Sequence, residues 1–283
     1  MSEAVLLLAH GAPERLHDVE SYLGNVRGGR PATPEILAEV RSRYAAIGGS
    51  SPLLRWTRAQ AEALERTLGI PVFVGMRNWH PFLHETLAQI RRRGIPRLAA
   101  ICMAPQYSAL SVGLYMRRAA EAGGELDFRW ARSFHDQPLL IEAFAERLAP
   151  LVEGRRVLFT AHSLPEQALA AADPYERECR TTAALVAARL GLPAWDFAFQ
   201  SQGMTGDRWL GPTVESMLDT YTGEVAIAPI GFVCDHVEIL YDIDIYFRGY
   251  AAARGVTIVR PQSLNDSPTF TAALAEVARR CLA

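Results

Sequence analysis

The sequence predicts an α/β fold of two similar domains, each a four-stranded parallel sheet flanked by helices. Three observations predict it. Short, continuous apolar runs alternate with longer segments rich in Ala, Leu, Arg and Glu. The apolar runs number eight and divide four and four along 283 residues. The segments that open the two halves also echo each other. Val5-Leu6-Leu7-Leu8-Ala9-His10-Gly11-Ala12-Pro13-Glu14 matches Val157-Leu158-Phe159-Thr160-Ala161-His162-Ser163-Leu164-Pro165-Glu166 at six of ten positions.

The first half offers strands at 5–9, 71–75, 98–103 and 126–131, and the second at 157–161, 196–200, 225–229 and 256–259. Runs apolar on both faces suit strands covered by helices on both sides. Helices are expected at 33–47, 57–68, 82–92, 141–151, 175–190 and 268–281. Strands that alternate with helices pair in parallel through right-handed crossovers. His135-Asp136-Gln137-Pro138 is turn chemistry, so the expected domains are 1–137 and 138–283, with the last helix packing back on the first. Ala104-Pro105 and Ala228-Pro229 close the third strand of each half, a second and weaker echo.

Composition narrows the function. Hydrophobic residues make up 49% and charged residues 21%, with a net charge of -2, so nothing points to nucleic acid as a partner. Cys102, Cys179, Cys234 and Cys281 form no close pair, which argues against an iron–sulfur cluster or structural zinc. No signal peptide is expected, and no apolar run approaches the ~20 residues of a membrane helix. A cytoplasmic protein is the expectation.

Ligands in open parallel sheets bind beyond the carboxyl ends of the strands. His10 and His162 sit at two such ends and would face a shared cleft. The alternative is a pair of capping or core histidines. Farther on, Asp235 is a plausible N-cap with Glu238 three residues later, the spacing of a capping box. The same spacing, continued to Asp242, puts three carboxylates on one helical face, where they favour a cation or raise the pKa of one member. Both readings stand on spacing alone. Imidazole plus carboxylate suits ferrous iron and also suits proton removal from an organic acid. Arg27-Gly28-Gly29-Arg30 is a flexible cationic loop able to grip carboxylates, or a solvated one. Gly48-Gly49-Ser50-Ser51-Pro52 lacks a P-loop ending, so nucleotide binding is not supported.

Five motifs in order carry a family resemblance. They are Tyr44-Ala45-Ala46-Ile47-Gly48-Gly49-Ser50-Ser51-Pro52-Leu53, then Ala161-His162-Ser163-Leu164-Pro165, then Asp173-Pro174-Tyr175. Phe199-Gln200-Ser201 with Trp209-Leu210-Gly211-Pro212 follows, and then Pro229-Ile230-Gly231-Phe232 with the run from Asp235 to Asp244. Over nearly its whole length the sequence resembles the ferrochelatases.

The resemblance implies two Rossmann-like domains around a porphyrin cleft, and an enzyme of haem biosynthesis that inserts Fe²⁺ into a porphyrin. By resemblance His162 and Glu238 are catalytic and handle the metal. Asp242 and Asp235 form an acidic path, with Arg43 beside it. Tyr246 stands where the family's path carries another Glu, which puts an accessory metal site in doubt. His10 stands where relatives carry Tyr or Met, and is expected to be a metal ligand from the opposite side. His10, Arg27, Arg30, Ser51, Arg77 and Tyr115 are the expected porphyrin contacts. A short, arginine-bearing segment before Gly48 favours coproporphyrin III over protoporphyrin IX. No organic cofactor is implied, and iron is a substrate. Transient contact with neighbouring haem-pathway enzymes is expected. The competing readings are a cobaltochelatase of the same fold and a non-catalytic haem or porphyrin carrier.

Overall fold

The computed structural model describes residues 2–203 and 207–283. Its first half runs β1 (Glu3–Ala9), α1 (Val19–Val26), α2 (Pro34–Ala46), α3 (Leu53–Leu68), β2 (Val72–Met76), α4 (Leu83–Arg92), β3 (Arg97–Cys102), α5 (Val112–Gly123) and β4 (Asp127–Ala131). The second half runs α6 (Pro138–Leu148), β5 (Arg156–His162), α7 (Tyr175–Arg189), β6 (Asp196–Gln200), α8 (Val214–Leu218), β7 (Gly223–Pro229), α9 (Val237–Leu240), a π-helical turn (Asp242–Phe247), α10 (Arg248–Ala252), β8 (Val256–Val259) and α11 (Pro268–Leu282).

The two sheets repeat one topology. Their strand orders are β2-β1-β3-β4 and β6-β5-β7-β8, with every pair parallel. In each, the chain leaves its first strand to one side and returns on the other. That reversal opens a crevice beyond the carboxyl ends of β1 and β3, and of β5 and β7. All eight expected strands are present. β5 runs one residue farther than the sequence suggested, so that His162 pairs in register with Gln200.

Helix starts follow local chemistry. Thr33, Gln137 and Ser267 each accept a hydrogen bond from a first-turn N–H, with Pro in the first turn of α2, α6 and α11. α3 begins earlier than its periodicity implied, at Leu53, and buries Leu53, Leu54, Thr57, Gln60, Ala61 and Leu64 along one face. It ends at Gly69, whose φ of 70° is the left-handed cap that glycine adopts without strain.

One apolar core runs through both halves and joins Val5, Leu7, Leu64 and Ile101 to Phe159, Phe199, Phe270 and Leu274. α11 supplies Phe270 and Leu274, and packs on α3, β3 and β4 as well as on α6. No helix among the described residues is long and apolar enough to cross a membrane.

Candidate active site at the facing strand ends

The crevices of the two sheets meet in a cavity of about 270 Å³. Leu8 through Ala12, Met103 and Ala104 line it from the first half, and His162, Leu164, Gly231 through Cys234 and His236 through Glu238 from the second. Among the expected residues, His10, Ser51, Arg77, Tyr115, His162 and Glu238 all form its wall.

His162 is fixed from three directions. Its backbone is the last rung of β5, its carbonyl accepts from Tyr175 Oη at 2.8 Å, and its Nδ1 bonds the Ser163 carbonyl. Nε2 is therefore left for Glu238, whose Oε1 stands 3.4 Å away. Glu238 rides on the single turn of α9, and its carbonyl accepts from Gln200 Nε2 at 2.8 Å. Its other oxygen, Oε2, lies 3.4 Å from His236 Nε2. The β7 loop reaches this position because residue 231 is glycine. A Cβ there would lie 2.8 Å from the Ala161 Cβ.

Charge follows geometry. Burial alone would lower the His162 imidazole, but the Glu238 carboxylate, by charge and hydrogen bond, outweighs burial and holds it at about 9. Burial likewise opposes ionised Glu238, yet His162 and His236 keep its carboxyl well below the usual range. His162 and Glu238 form an imidazolium–carboxylate pair. Asp242, one turn on, is buried, and burial pushes it up to about 6 against a hydrogen bond from Ser201. Gln200 Nε2 contacts Ser201 Oγ at 3.3 Å as well as the Glu238 carbonyl, so Glu238 and Asp242 are linked through two side chains. Arg43 stands beside Asp242 at 3.8 Å. Tyr246 is 45% exposed at the outer side of the π-helical turn.

Four expectations need correction. The capping box at Asp235 and Glu238 does not form. The N-cap of α9 is His236, in extended conformation and without a side-chain cap bond. Asp235 also leaves the acidic row, because Ser263, Asn265 and Arg260 claim both its oxygens at 2.7, 2.9 and 3.3 Å. Arg27 and Arg30 are not in the cavity wall. Arg30 is exposed and its Nε donates back to the Arg27 carbonyl at 3.2 Å, while Arg27 is half-buried away from the cavity. His10 lines the cavity but presents no free nitrogen. Nδ1 lies 3.1 Å from the Gly11 carbonyl and 3.2 Å from Tyr22 Oη, and Nε2 accepts from Asn78 at 3.0 Å. Burial and Arg77 lower His10 to about 4, so the ring is neutral.

Tyr22, Asn78, Gln200, Ser201 and His236 also belong to the site. Gln200, Ser201 and His236 lie inside the family motifs, the sequence signal that marks them. Tyr22 and Asn78 carried none, since they meet His10 only in space. Arg77 crosses the cavity wall with its guanidinium 5.0 Å above the Tyr115 ring, and pairs with no carboxylate among the described residues.

Twin parallel sheets with a site at their facing carboxyl ends define a chelatase-type fold. Solved structures agree on the fold: SirB from Bacillus subtilis with Fe³⁺ superposes with a TM-score of 0.62 at 13% identity, covering 100% of this chain and 96% of its own. CbiX, the terminal enzyme for biosynthesis of sirohaem in denitrifying bacteria, gives 0.60 at 15% identity over 99% of this chain and 100% of its own. Sequence relatives go further. The family model described as Ferrochelatase matches residues 2–282. A ferrochelatase of Acidobacterium capsulatum is 47% identical over 98% of this chain and 93% of its own length. The coproporphyrin III ferrochelatase of Bacillus subtilis is 34% identical over 96% of each. The chain belongs to the ferrochelatase family and is a metal-insertion enzyme, a lyase.

Proposed function

We propose that the protein inserts Fe²⁺ into coproporphyrin III in preference to protoporphyrin IX, with His162 and Glu238 as the catalytic pair. The observation that carries the reading is the His162 Nε2–Glu238 Oε1 contact of 3.4 Å in the cavity wall. Glu238, ionised between two histidines, meets the ferrous ion. A dication at that carboxylate repels the proton on His162 and frees Nε2 to accept a pyrrole proton. Asp242, with a pKa of about 6, accepts the released proton and passes it outward beside Arg43. Each of the two pyrrole protons leaves by this route. No organic cofactor and no redox step is required, because Fe²⁺ enters and remains Fe²⁺.

The preference among porphyrins rests on charge. Coproporphyrin carries four propionates where protoporphyrin carries two. Arg77 offers an uncompensated guanidinium to a carboxylate at the cavity wall. Relatives named coproporphyrin III ferrochelatase support the same choice.

An anaerobic absorption assay with Fe²⁺ and each porphyrin tests the reading. Coproporphyrin III should turn over with the higher kcat/KM, and His162→Ala should lose iron insertion by about 10²–10⁴-fold while still binding porphyrin. Equal or better turnover of protoporphyrin IX removes the substrate preference. Near-wild-type turnover in His162→Ala removes the catalytic pair.

A further inference from the structure

His10 occupies in the first half the position that His162 occupies in the second, and both line one cavity. A neutral imidazole with a free nitrogen beside iron is a strong ligand. Here the lone pair is spent. The Gly11 carbonyl, 3.1 Å from Nδ1, can only accept, so Nδ1 carries the proton. Nε2 then holds the lone pair, and the Asn78 amide donates into it at 3.0 Å.

Asn78 is itself firmly held. Its backbone N–H donates to the His10 carbonyl at 2.9 Å, and its own carbonyl accepts from Asn25 Nδ2 at 3.1 Å. The neighbouring Arg77 N–H donates to the Ala9 carbonyl at 3.0 Å, which extends the zip between the two loops. Gly11 permits this close seam, since a Cβ there would lie 2.7 Å from the Trp79 nitrogen. Asn78 is 6% exposed and lies behind the cavity wall rather than in it. The nitrogen of His10 that could ligate a metal is therefore engaged by Asn78, although the ring lines the cavity.

We propose that Asn78 is a positioning residue that masks His10. By occupying Nε2 it prevents this histidine from ligating iron, so the metal is handled from the His162 and Glu238 side and the iron-bearing product is not trapped on the other. The proposal rests on the reading of this cavity as the site of iron insertion.

The test uses the full chain, ferric protoporphyrin IX as probe, and four forms: wild type, H10A, N78A and H10A/N78A. Absorption and electron paramagnetic resonance report axial ligation, and titration gives Kd. H10A should leave the wild-type axial-ligation signature unchanged, whereas N78A should add a low-spin imidazole signature and tighten Kd about tenfold, the effect of one freed hydrogen-bonding partner. H10A on top of N78A should abolish both changes. A wild-type complex whose imidazole signature disappears in H10A overturns the proposal, as does a folded N78A with an unchanged spectrum.

Should N78A fail to fold, ¹⁵N spectra of wild-type His10 decide the matter, with diamagnetic zinc protoporphyrin IX as probe. Nε2 should resonate as an unprotonated hydrogen-bond acceptor and stay there on addition of the probe. A move to a metal-bound position overturns the proposal. A wild-type chain that binds neither porphyrin overturns the reading of the cavity itself, a result distinct from either of these.

Discussion

His162 and Glu238 meet where the end of β5 faces the single turn of α9, with Nε2 3.4 Å from Oε1. Neither residue selects the other by sequence proximity. The β-ladder holds one, and Gln200, on the adjacent strand, holds the backbone of the other.

Removing the carboxylate should release the imidazole. In Glu238→Gln the charge that sustains His162 at about 9 is gone and burial remains, so its pKa should fall to 6.5 or below. A titration of the histidine ring protons by NMR checks this. A value that stays near 9 would assign the shift to another group.

The pair also couples stability to pH. His162 binds its proton more tightly folded, at about 9, than at the ordinary 6.5. Its contribution is therefore fully present below 6.5 and is lost as pH rises through 9. A double-mutant cycle with His162→Gln and Glu238→Gln, followed by chemical denaturation, should give a coupling energy that shrinks between pH 6.5 and pH 9.5.

Asp242 should shape the acid limb of the rate profile. A carboxyl pushed up to about 6 accepts protons only above that pH, so kcat should rise as pH increases through 6. Asp242→Asn should lower kcat and flatten that limb. A mutant that keeps the wild-type inflection would place the titrating group elsewhere.

Gly231→Ala tests the seam that carries Glu238 to His162. The added Cβ would lie 2.9 Å from the Ala161 Cα, a backbone atom in the central strand β5, so the 231–238 segment must move instead. A stability loss of about 1–3 kcal/mol is expected, with a larger proportional loss in kcat than in porphyrin affinity. Thermal melting and steady-state kinetics measure the two together.

Arg260 should prove structural rather than chemical. Its guanidinium, 11% exposed, pairs with Asp244 at 2.7 Å and Asp235 at 3.3 Å, which bracket the Glu238 segment. Arg260→Ala leaves Asp235 with Ser263 and Asn265 and Asp244 with Arg248 alone, and should cost about 1–3 kcal/mol in denaturant unfolding.

The strands were legible because burial on both faces forces continuous apolar runs, a pattern that survives without neighbours. The echo of Val5–Glu14 and Val157–Glu166 located both strand-end histidines for the same reason, since identical βα turns need similar residues. α5 was not legible. Its N-cap Ser111 makes no side-chain cap bond and Gly113 stands in its first turn, so the start is unmarked, and the helix packs against α4. Spacing alone left a capping box and an acidic face both open at Asp235, and neither forms, because Ser263, Asn265 and Arg260 bind both its oxygens.

By itself, then, the sequence determined the twin sheets, their four-and-four division, and the residue types at the strand ends. These follow from patterns that act within a few residues. Tertiary structure alone decided how those residues are used. His162 received a carboxylate 76 positions away and became a cation, while His10 received an amide 68 positions away and lost its lone pair to it. Two histidines in matching local settings came to opposite chemistry, because hydrogen-bond partners are assigned by the fold and not by the neighbouring chain.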